Sequence, residues 1–323
     1  MKIVEISSEI IKIQLRTPFI TALRRVDDVE FVRVSVTTDD DYVYLGEAPA
    51  TKAITGEDLL SITEAIETNK ELFYGLSPSD AIDKVHTLSI GSSAKACMDM
   101  AFYVMTDFGM QSHAKQGNES NDNTPKTKTA ITISYNEKTK MLIDAKDAVN
   151  NGHRILKLKF GDDISHAIDV THSVQRQIPN TILLVDANQA WSLSESKKYI
   201  DSMANTNIEL LEQPVIAKDI EGLRELKNYS DIPIVADEAC FTLSDVKKVV
   251  ESKSADIINI KFMKCGGITK AKEILEYCRT KQVPVMMGSM LEGPISIGYA
   301  CYLVDEYSDV IKYVDLDSPL LYK

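Results

Sequence analysis

Charged side chains recur at the ends of short apolar runs. Lys157 and Lys159 stand in Leu156-Lys157-Leu158-Lys159-Phe160, Asp186 in Val185-Asp186-Ala187-Asn188, and Glu212 in Leu211-Glu212-Gln213-Pro214. Asp237 and Glu238 follow Ile234-Val235-Ala236, and Lys261 follows Asn259-Ile260. Asp186, Glu212, Asp237 and Lys261 are separated by 26, 25 and 24 residues. Three carboxylates with no His or Cys among them form an all-oxygen donor set, which suits a hard cation, Mg2+ ahead of Ca2+ or Mn2+. A single such acid could merely cap the helix behind it. Three in step, flanked by lysines, point to a shared metal. Lys157 and Lys159 are two residues apart and so share one face of a strand. Burial or a nearby cation is expected to lower a lysine pKa from about 10.4 to about 7–8, where lysine works as a general base. Lys261 would approach from the far side. Two bases on opposite faces of one carbon can take a proton from one side and return it to the other. An ion pair of Lys261 with Asp237 or Glu238 would be compatible with that role.

Regularly repeating elements are needed to hold these groups at one place. Eight apolar runs supply them: Ala130–Ser134, Ile155–Phe160, Ile182–Asp186, Ile208–Glu212, Ile232–Ala236, Ile257–Ile260, Val283–Met287 and Ile311–Val314. Their Ile, Val and Leu content fits strands buried on both faces, and the gaps between them are long enough for helices. Eight βα repeats predict a barrel of parallel strands whose C-terminal ends share one mouth; a doubly wound sheet would have similar local patterns. Before residue 110 the pattern differs. Lys2–Arg16 and Glu30–Val36 alternate like half-wet antiparallel strands. A helix opens near Gly56-Glu57-Asp58, and Ser93–Asp107 reads as a well-buried one. The expected organisation is an α+β domain over 1–127, with a polar linker at 114–127, a barrel over 128–314, and a terminal segment, 315–323, packing back on the first domain.

The chain has 323 residues, 44% apolar and 26% charged, so it is expected to fold as an ordinary globule. A net charge of −12 argues against nucleic acid as a partner. The apolar stretch Val283–Val304 contains Gly288, Glu292, Gly293, Pro294 and Gly298, which makes it a poor membrane span and a better strand followed by a helix. Glu5 and Glu9 interrupt any apolar leader. The five cysteines are scattered, with no C-x-x-C pair, as expected of free thiols in a reducing, cytoplasmic setting.

In these motifs the chain resembles the muconate lactonizing subgroup of the enolase superfamily. The resemblance rests on Lys157-x-Lys159, Asp186-x-Asn188, Glu212-Gln213-Pro214, Asp237-Glu238, and Lys261 before Lys264-Cys265-Gly266-Gly267. It extends to Gly46-Glu47-Ala48-Pro49, Thr55-Gly56-Glu57 and Ala94–Ala101 in the first domain. It implies an α/β fold, a modified (β/α)7β TIM barrel capped by an N-terminal α+β domain. It implies Mg2+, with Mn2+ as a substitute, on Asp186, Glu212 and Asp237, and Asn188 and Glu238 beside those ligands. Lys159 and Lys261 become the acid/base pair and Lys157 a support for the substrate carboxylate. It implies, too, the superfamily's established chemistry, a Lys base working with Mg2+ to stabilise an enediolate. Asp315-Leu316-Asp317 ends the eighth run, where strand alternation is expected to put both aspartates on one face; the pair is similar to the acids with which dipeptide epimerases hold a substrate ammonium, and Asp-rich turns at strand ends are also common. Thr21-Ala22-Leu23-Arg24-Arg25 resembles the loop that brings an arginine to a Glu side chain in Ala-Glu epimerases, with Arg24 matching better than Arg25. The expected partner is a small dipeptide, and the resemblance implies a homo-oligomer. The resemblance therefore favours a dipeptide epimerase of the Ala-Glu type; dipeptide epimerases of other specificity, acylamino acid racemases, succinylbenzoate synthases and a non-catalytic barrel are the alternatives. The polar 114–127 segment departs from the family, which carries an apolar stretch there.

Overall fold

The computed structural model describes residues 1–21, 25–107, 109–110, 128–204 and 206–323. Strands β1 (Ile3–Ile20), β2 (Arg25–Thr38) and β3 (Val43–Pro49) form an antiparallel sheet in that order. In β2, Val32, Val34 and Val36 are buried while Arg33 and Ser35 are only partly covered, so period-two alternation sets the inner face. That face packs on helices α2 (Leu59–Asn69), α3 (Pro78–Thr87) and α4 (Ser92–Val104), behind the short α1 (Lys52–Thr55). Asp58 and Ser61 form a reciprocal cap that starts α2.

Eight parallel strands follow, each beside its neighbour in sequence: β4 (Ile131–Ile133), β5 (Ile155–Lys159), β6 (Ile182–Asp186), β7 (Ile208–Glu212), β8 (Ile234–Ala236), β9 (Ile257–Ile260), β10 (Val285–Gly288) and β11 (Ile311–Asp315). The amide of Ala130 donates to the carbonyl of Val314 at 2.9 Å and joins the first strand to the last. This is the expected barrel, and the near-continuous apolar runs correspond to its strands. Alternation divides each strand between two layers. Leu156, Leu158, Leu183, Val185 and Leu211 pack outward against the helices. Leu184, Leu210, Val235, Ile257, Met286 and Ala130 meet one another in the barrel interior. Two residues further along, on the same inward face, stand Asp186, Glu212, Asp237, Asn259, Gly288 and Thr132. The apolar floor and the charged mouth are successive steps of one period.

The cap domain reaches the barrel in three places. β1 runs beyond the predicted Arg16 to Ile20, where the Ile20 amide donates to Ser134 Oγ at 3.1 Å and the Tyr135 amide to the Ile20 carbonyl at 2.9 Å. The buried Glu47 pairs with Arg33 at 2.6 Å and accepts from the Ile295 and Ser296 amides at 2.9 and 3.2 Å, so a cap residue covers the start of the barrel helix Pro294–Glu306. Asp99 of α4 accepts from the Thr269 amide at 3.0 Å at the start of helix Ile268–Lys281, and contacts His86 Nε2 at 2.8 Å. The C-terminal residues return to the first strand: Leu15 bridges Tyr322, and the Lys323 amide donates to the Gln14 carbonyl at 2.9 Å. Residues 111–127, which include the linker, lie outside the described residues.

β3 lies so close to α4 that a Cβ on Gly46 would sit 1.9 Å from the Cys97 carbonyl oxygen. Gly46→Ala is expected to destabilise the protein by about 3 kcal/mol or more through overpacking against rigid backbone, read as a lower midpoint in urea unfolding.

Candidate active site at the barrel mouth

Strands β5 to β9 deliver the predicted groups to one rim. Lys159 Nζ donates to Asp186 Oδ2 at 2.5 Å, and Lys261 Nζ to Asp237 Oδ2 at 2.6 Å. Lys157 Nζ lies 2.7 Å from Asp315 Oδ2, 2.7 Å from Glu212 Oε2 and 3.1 Å from Asp186 Oδ2. Lys159 and Lys261 stand on strands four places apart in the eight-strand ring, and so on opposite walls. The acids occupy the arc between them. Across from that arc, beyond β9 and β10, β11 ends in Asp315 and leads to Asp317. A cavity opens here, lined by Lys159, Lys261, Asn188, Glu238, Asp315 and Asp317, and roofed from the cap by Phe19, Thr51 and Ile54.

None of the three acids caps a helix. The helices behind them start at Leu193, Ile220 and Leu243, and their caps are Ser192, Asp219 and Thr242. Instead Asp186 Oδ1 accepts from the Asn188 amide at 2.8 Å, and Asn188 Nδ2 reaches Glu238 Oε1 at 3.3 Å. Asn188 and Gln213 hold φ of 44° and 36°, directly behind Asp186 and Glu212. Non-glycine residues rarely adopt such values, and with Gln189 these are half of the six found among the described residues, the others being Asp41, Lys253 and Gln282.

The charge distribution differs from the expectation in one respect. Burial opposes the charge on Lys157 and Lys261, but Asp315 and Glu212 around the first, and Asp237 beside the second, outweigh it and raise both pKa values. The expected lowering therefore fails at these two residues, because each ammonium touches carboxylates that no linear reading pairs with it. Among the acids, burial pushes Glu212 up to about 8, with Asp186 adding to the rise. Burial and Asp237 bring Glu238 to about 7. Burial also acts to raise Asp186 and Asp237, yet Lys159 and Lys261 respectively hold them well below the usual carboxylate range.

The donor set fits a hard cation. Buried oxygens of Glu212, Glu238 and Asn188 have no hydrogen-bond donor, the Glu212 oxygen meeting Lys157 only as a charge contact. With Asp186 and Asp237 they make an all-oxygen set of the kind Mg2+ takes. Among the described residues no three acids stand ready around one metal position; lysine ammoniums hold their oxygens.

The Asp315-x-Asp317 pair reaches the mouth by a different route from the one predicted. β11 ends at Asp315, and Asp317 has helical backbone angles, φ −87° and ψ −4°, ahead of the short helix Ser318–Leu321 that Pro319 starts. A turn, and not strand alternation, puts both acids at the mouth. Asp317 accepts from the Thr132 amide at 2.7 Å, and burial together with Asp315 raises it to about 6. Arg24 lies outside the described residues. Arg25 pairs with Asp27 at 2.9 Å on the surface. Three partners of the acids escaped the sequence reading. Asn259 Nδ2 donates to Glu212 Oε1 at 2.9 Å; its place two residues before Lys261 was the available signal. Gln213 Oε1 accepts from the Asp237 and Ala239 amides at 3.0 and 3.1 Å, and Lys264 reaches Asp237.

A parallel barrel with opposed lysines and three carboxylates at consecutive strand ends defines a class of enzyme. The family model described as enolase C-terminal domain-like matches residues 140–306, and the chain belongs to the enolase superfamily. It is 52% identical to the L-amino acid-D/L-Glu epimerase of Sulfurimonas denitrificans, over 100% of this chain and 95% of that one. It is 36% identical to the L-Ala-D/L-Glu epimerase of Bacillus subtilis, over 100% and 90%. The substrate-liganded structure of a Bacillus subtilis L-Ala-D/L-Glu epimerase superposes with a TM-score of 0.89 at 34% identity, covering 100% and 92%. An Enterococcus faecalis dipeptide epimerase solved with Mg and L-Leu-L-Tyr superposes at 0.91 and 32%, with the same coverage. Within the superfamily the chain is one of the dipeptide epimerases, which are isomerases. Among the described residues no helix is long and apolar enough to cross a membrane.

Glu292, in the loop behind β10, is buried. Its carboxylate accepts from the Met290 amide at 2.9 Å and from Ser296 Oγ, and burial pushes it up to about 7. Its folded value lies above the ordinary 4.5, so its contribution to stability is complete below about pH 4.5 and is lost as pH rises through about 7. Glu292→Gln is expected to be more stable than the wild type at pH 8, by up to about 3 kcal/mol, with the difference vanishing near pH 4. Thermal melts across that range check it.

Proposed function

We propose that the protein epimerises dipeptides at the α-carbon beside the C-terminal carboxylate, with Mg2+ held by Asp186, Glu212 and Asp237, and that L-Ala-D/L-Glu-type substrates are preferred. The observation that carries this reading is the placement of Lys159 and Lys261 on opposite walls, with the acids on one arc between them and Asp315 and Asp317 on the other. When bound, Mg2+ supplies positive charge beside the substrate carboxylate, where negative charge collects as the α-proton leaves. In this reading the acids that raise Lys261 share their charge with the cation, so that one lysine can stand neutral; it takes that proton through Nζ and leaves the electron pair on a carbon that becomes planar. The opposed lysine, protonated, gives a proton to the other face. Lys157 supports the carboxylate from the floor of the mouth, and Asn188 and Glu238 steady the acids. Asp315 and Asp317 hold the dipeptide ammonium, which an N-acylated amino acid lacks; this favours the dipeptide over the acylamino acid reading. The names of the relatives at 52% and 36% identity favour Glu as the second residue, with Arg24 as its partner. The 33% identity to a hydrophobic dipeptide epimerase marks the competing specificity. Mn2+ substitutes for Mg2+ in this reading, and five unpaired cysteines support a cytoplasmic setting.

The test is deuterium uptake in D2O with Mg2+ and a panel of Ala-Glu, Ala-Phe, Ala-Lys and an N-succinyl amino acid, followed by mass spectrometry. Uptake on Ala-Glu is expected, abolished by chelation and restored by Mg2+ or Mn2+. Uptake confined to the succinyl compound overturns the role of Asp315 and Asp317. Lys159→Ala and Lys261→Ala should each lower epimerisation by about 10²–10⁴-fold. Each should still exchange the α-proton of one epimer, and the two variants should exchange opposite epimers.

A further inference from the structure

Lys264 has no part in the proton transfer just described. Its side chain is 1% exposed, yet it ends against a proposed metal ligand. Nζ donates to Asp237 Oδ1 at 2.5 Å, to the Asp237 carbonyl at 2.5 Å and to the Asn259 carbonyl at 2.9 Å. An ammonium has three protons to donate, and these acceptors match them in number. Two acceptors belong to the main chain at the ends of neighbouring strands, β8 and β9. The third is a carboxylate oxygen whose partner oxygen is held by Lys261.

The turn that aims Lys264 inward is itself fixed. Gly266 and Gly267 end the short helix Phe262–Cys265 with φ of 94° and 115°, and a Cβ on Gly267 would sit 2.3 Å from Asp99 Oδ2. Asp99 belongs to α4 of the cap domain, so the aim of Lys264 depends on both domains.

We propose that Lys264 is a positioning residue: it ties the Asp237 carboxylate to the backbone of β8 and β9, so that the carboxylate meets the cation in a single orientation. This rests on the reading of Asp237 as a Mg2+ ligand. A lysine present only to balance charge predicts the opposite metal response. Removing a cation beside the ligand would then tighten Mg2+ binding, whereas loss of a clamp weakens it, by about 10–100-fold for groups that orient metal ligands.

Calorimetric titration of Mg2+ into the wild type, Lys264→Met and Lys264→Gln separates the two, with thermal melts to verify folding. The clamp predicts a Mg2+ Kd about 10–100-fold weaker in Lys264→Met. It predicts partial recovery in Lys264→Gln, whose amide donates without charge, and a fall in kcat with little change in dipeptide KM at saturating metal. Mg2+ binding in either folded variant as tight as in the wild type, or tighter, overturns the proposal. Lys264→Gln carries the test if Lys264→Met does not fold. A wild type that binds Mg2+ but exchanges no dipeptide refutes the epimerase reading and leaves the clamp standing. A wild type that binds no Mg2+ overturns the metal reading and the clamp with it.

Discussion

Opposite charges interleaved in a space with little water are the constraint on which the rest of this structure depends. Asp186, Glu212, Asp237, Glu238, Asp315 and Asp317 are all at most 7% exposed, and so are Lys157, Lys159, Lys261 and Lys264. Any one of them alone at that depth would be untenable. Together they are tolerable because most meet an opposite charge at hydrogen-bond distance across the barrel mouth, while Glu238 and Asp317, which have only neutral hydrogen-bond donors, are raised to about 7 and about 6. The barrel's strand ends bring residues far apart in sequence into a ring, and the two-residue period turns every inward step the same way. The outcome is uneven. Asp186 and Asp237 each have a lysine donating to them and stay charged with ease. Glu212 meets Lys157 more obliquely and holds its charge poorly.

The same constraint explains which parts of the site were legible in the sequence. A charge at the end of an apolar run, repeated at near-constant spacing, has few structural readings, so the strands, the three acids and the opposed lysines could be placed by pattern. The alternation that aligned Lys157 with Lys159 would also have placed Asn259 beside Lys261. Lys264 could not be found in this way, because a short helix and two left-handed glycines turn it back toward Asp237. Asp317 was predicted at the mouth on strand geometry and reaches it through a turn. The raised values of Lys157 and Lys261 were out of reach for a simpler reason: a side chain's neighbours across the barrel decide the sign of its shift. The run of β1 to Ile20 comes from pairing with the start of β2 beyond a register shift, Phe19 against Val26 and Ile20 against Arg25, with a further hydrogen bond to Ser134 more than a hundred residues away, and the alternation of Lys2–Arg16 encodes neither.

Chemistry and recognition come from different layers. The groups proposed to move the proton stand at the end of β5 and directly behind β9, strands whose register is fixed by pairing on both sides. The roof above them, Phe19, Thr51 and Ile54, comes from the hairpin end of β1 and from the approach to and turn of α1. Substitution in the roof can reshape the cavity without disturbing the charges below, since no strand of the barrel passes through it.

Glu47 and Asp99 carry a further consequence. Each is a cap-domain acid that satisfies amides at the start of a barrel helix, amides that no residue of the helix itself can reach. Separation of the two domains would leave those amides bare on one side and, on the other, two buried carboxylates with only Arg33 and His86 beside them. Neither half is a self-sufficient folding unit in hydrogen-bonding terms. The protein should therefore lose its structure as one cooperative body, with the charged ring and its roof failing together.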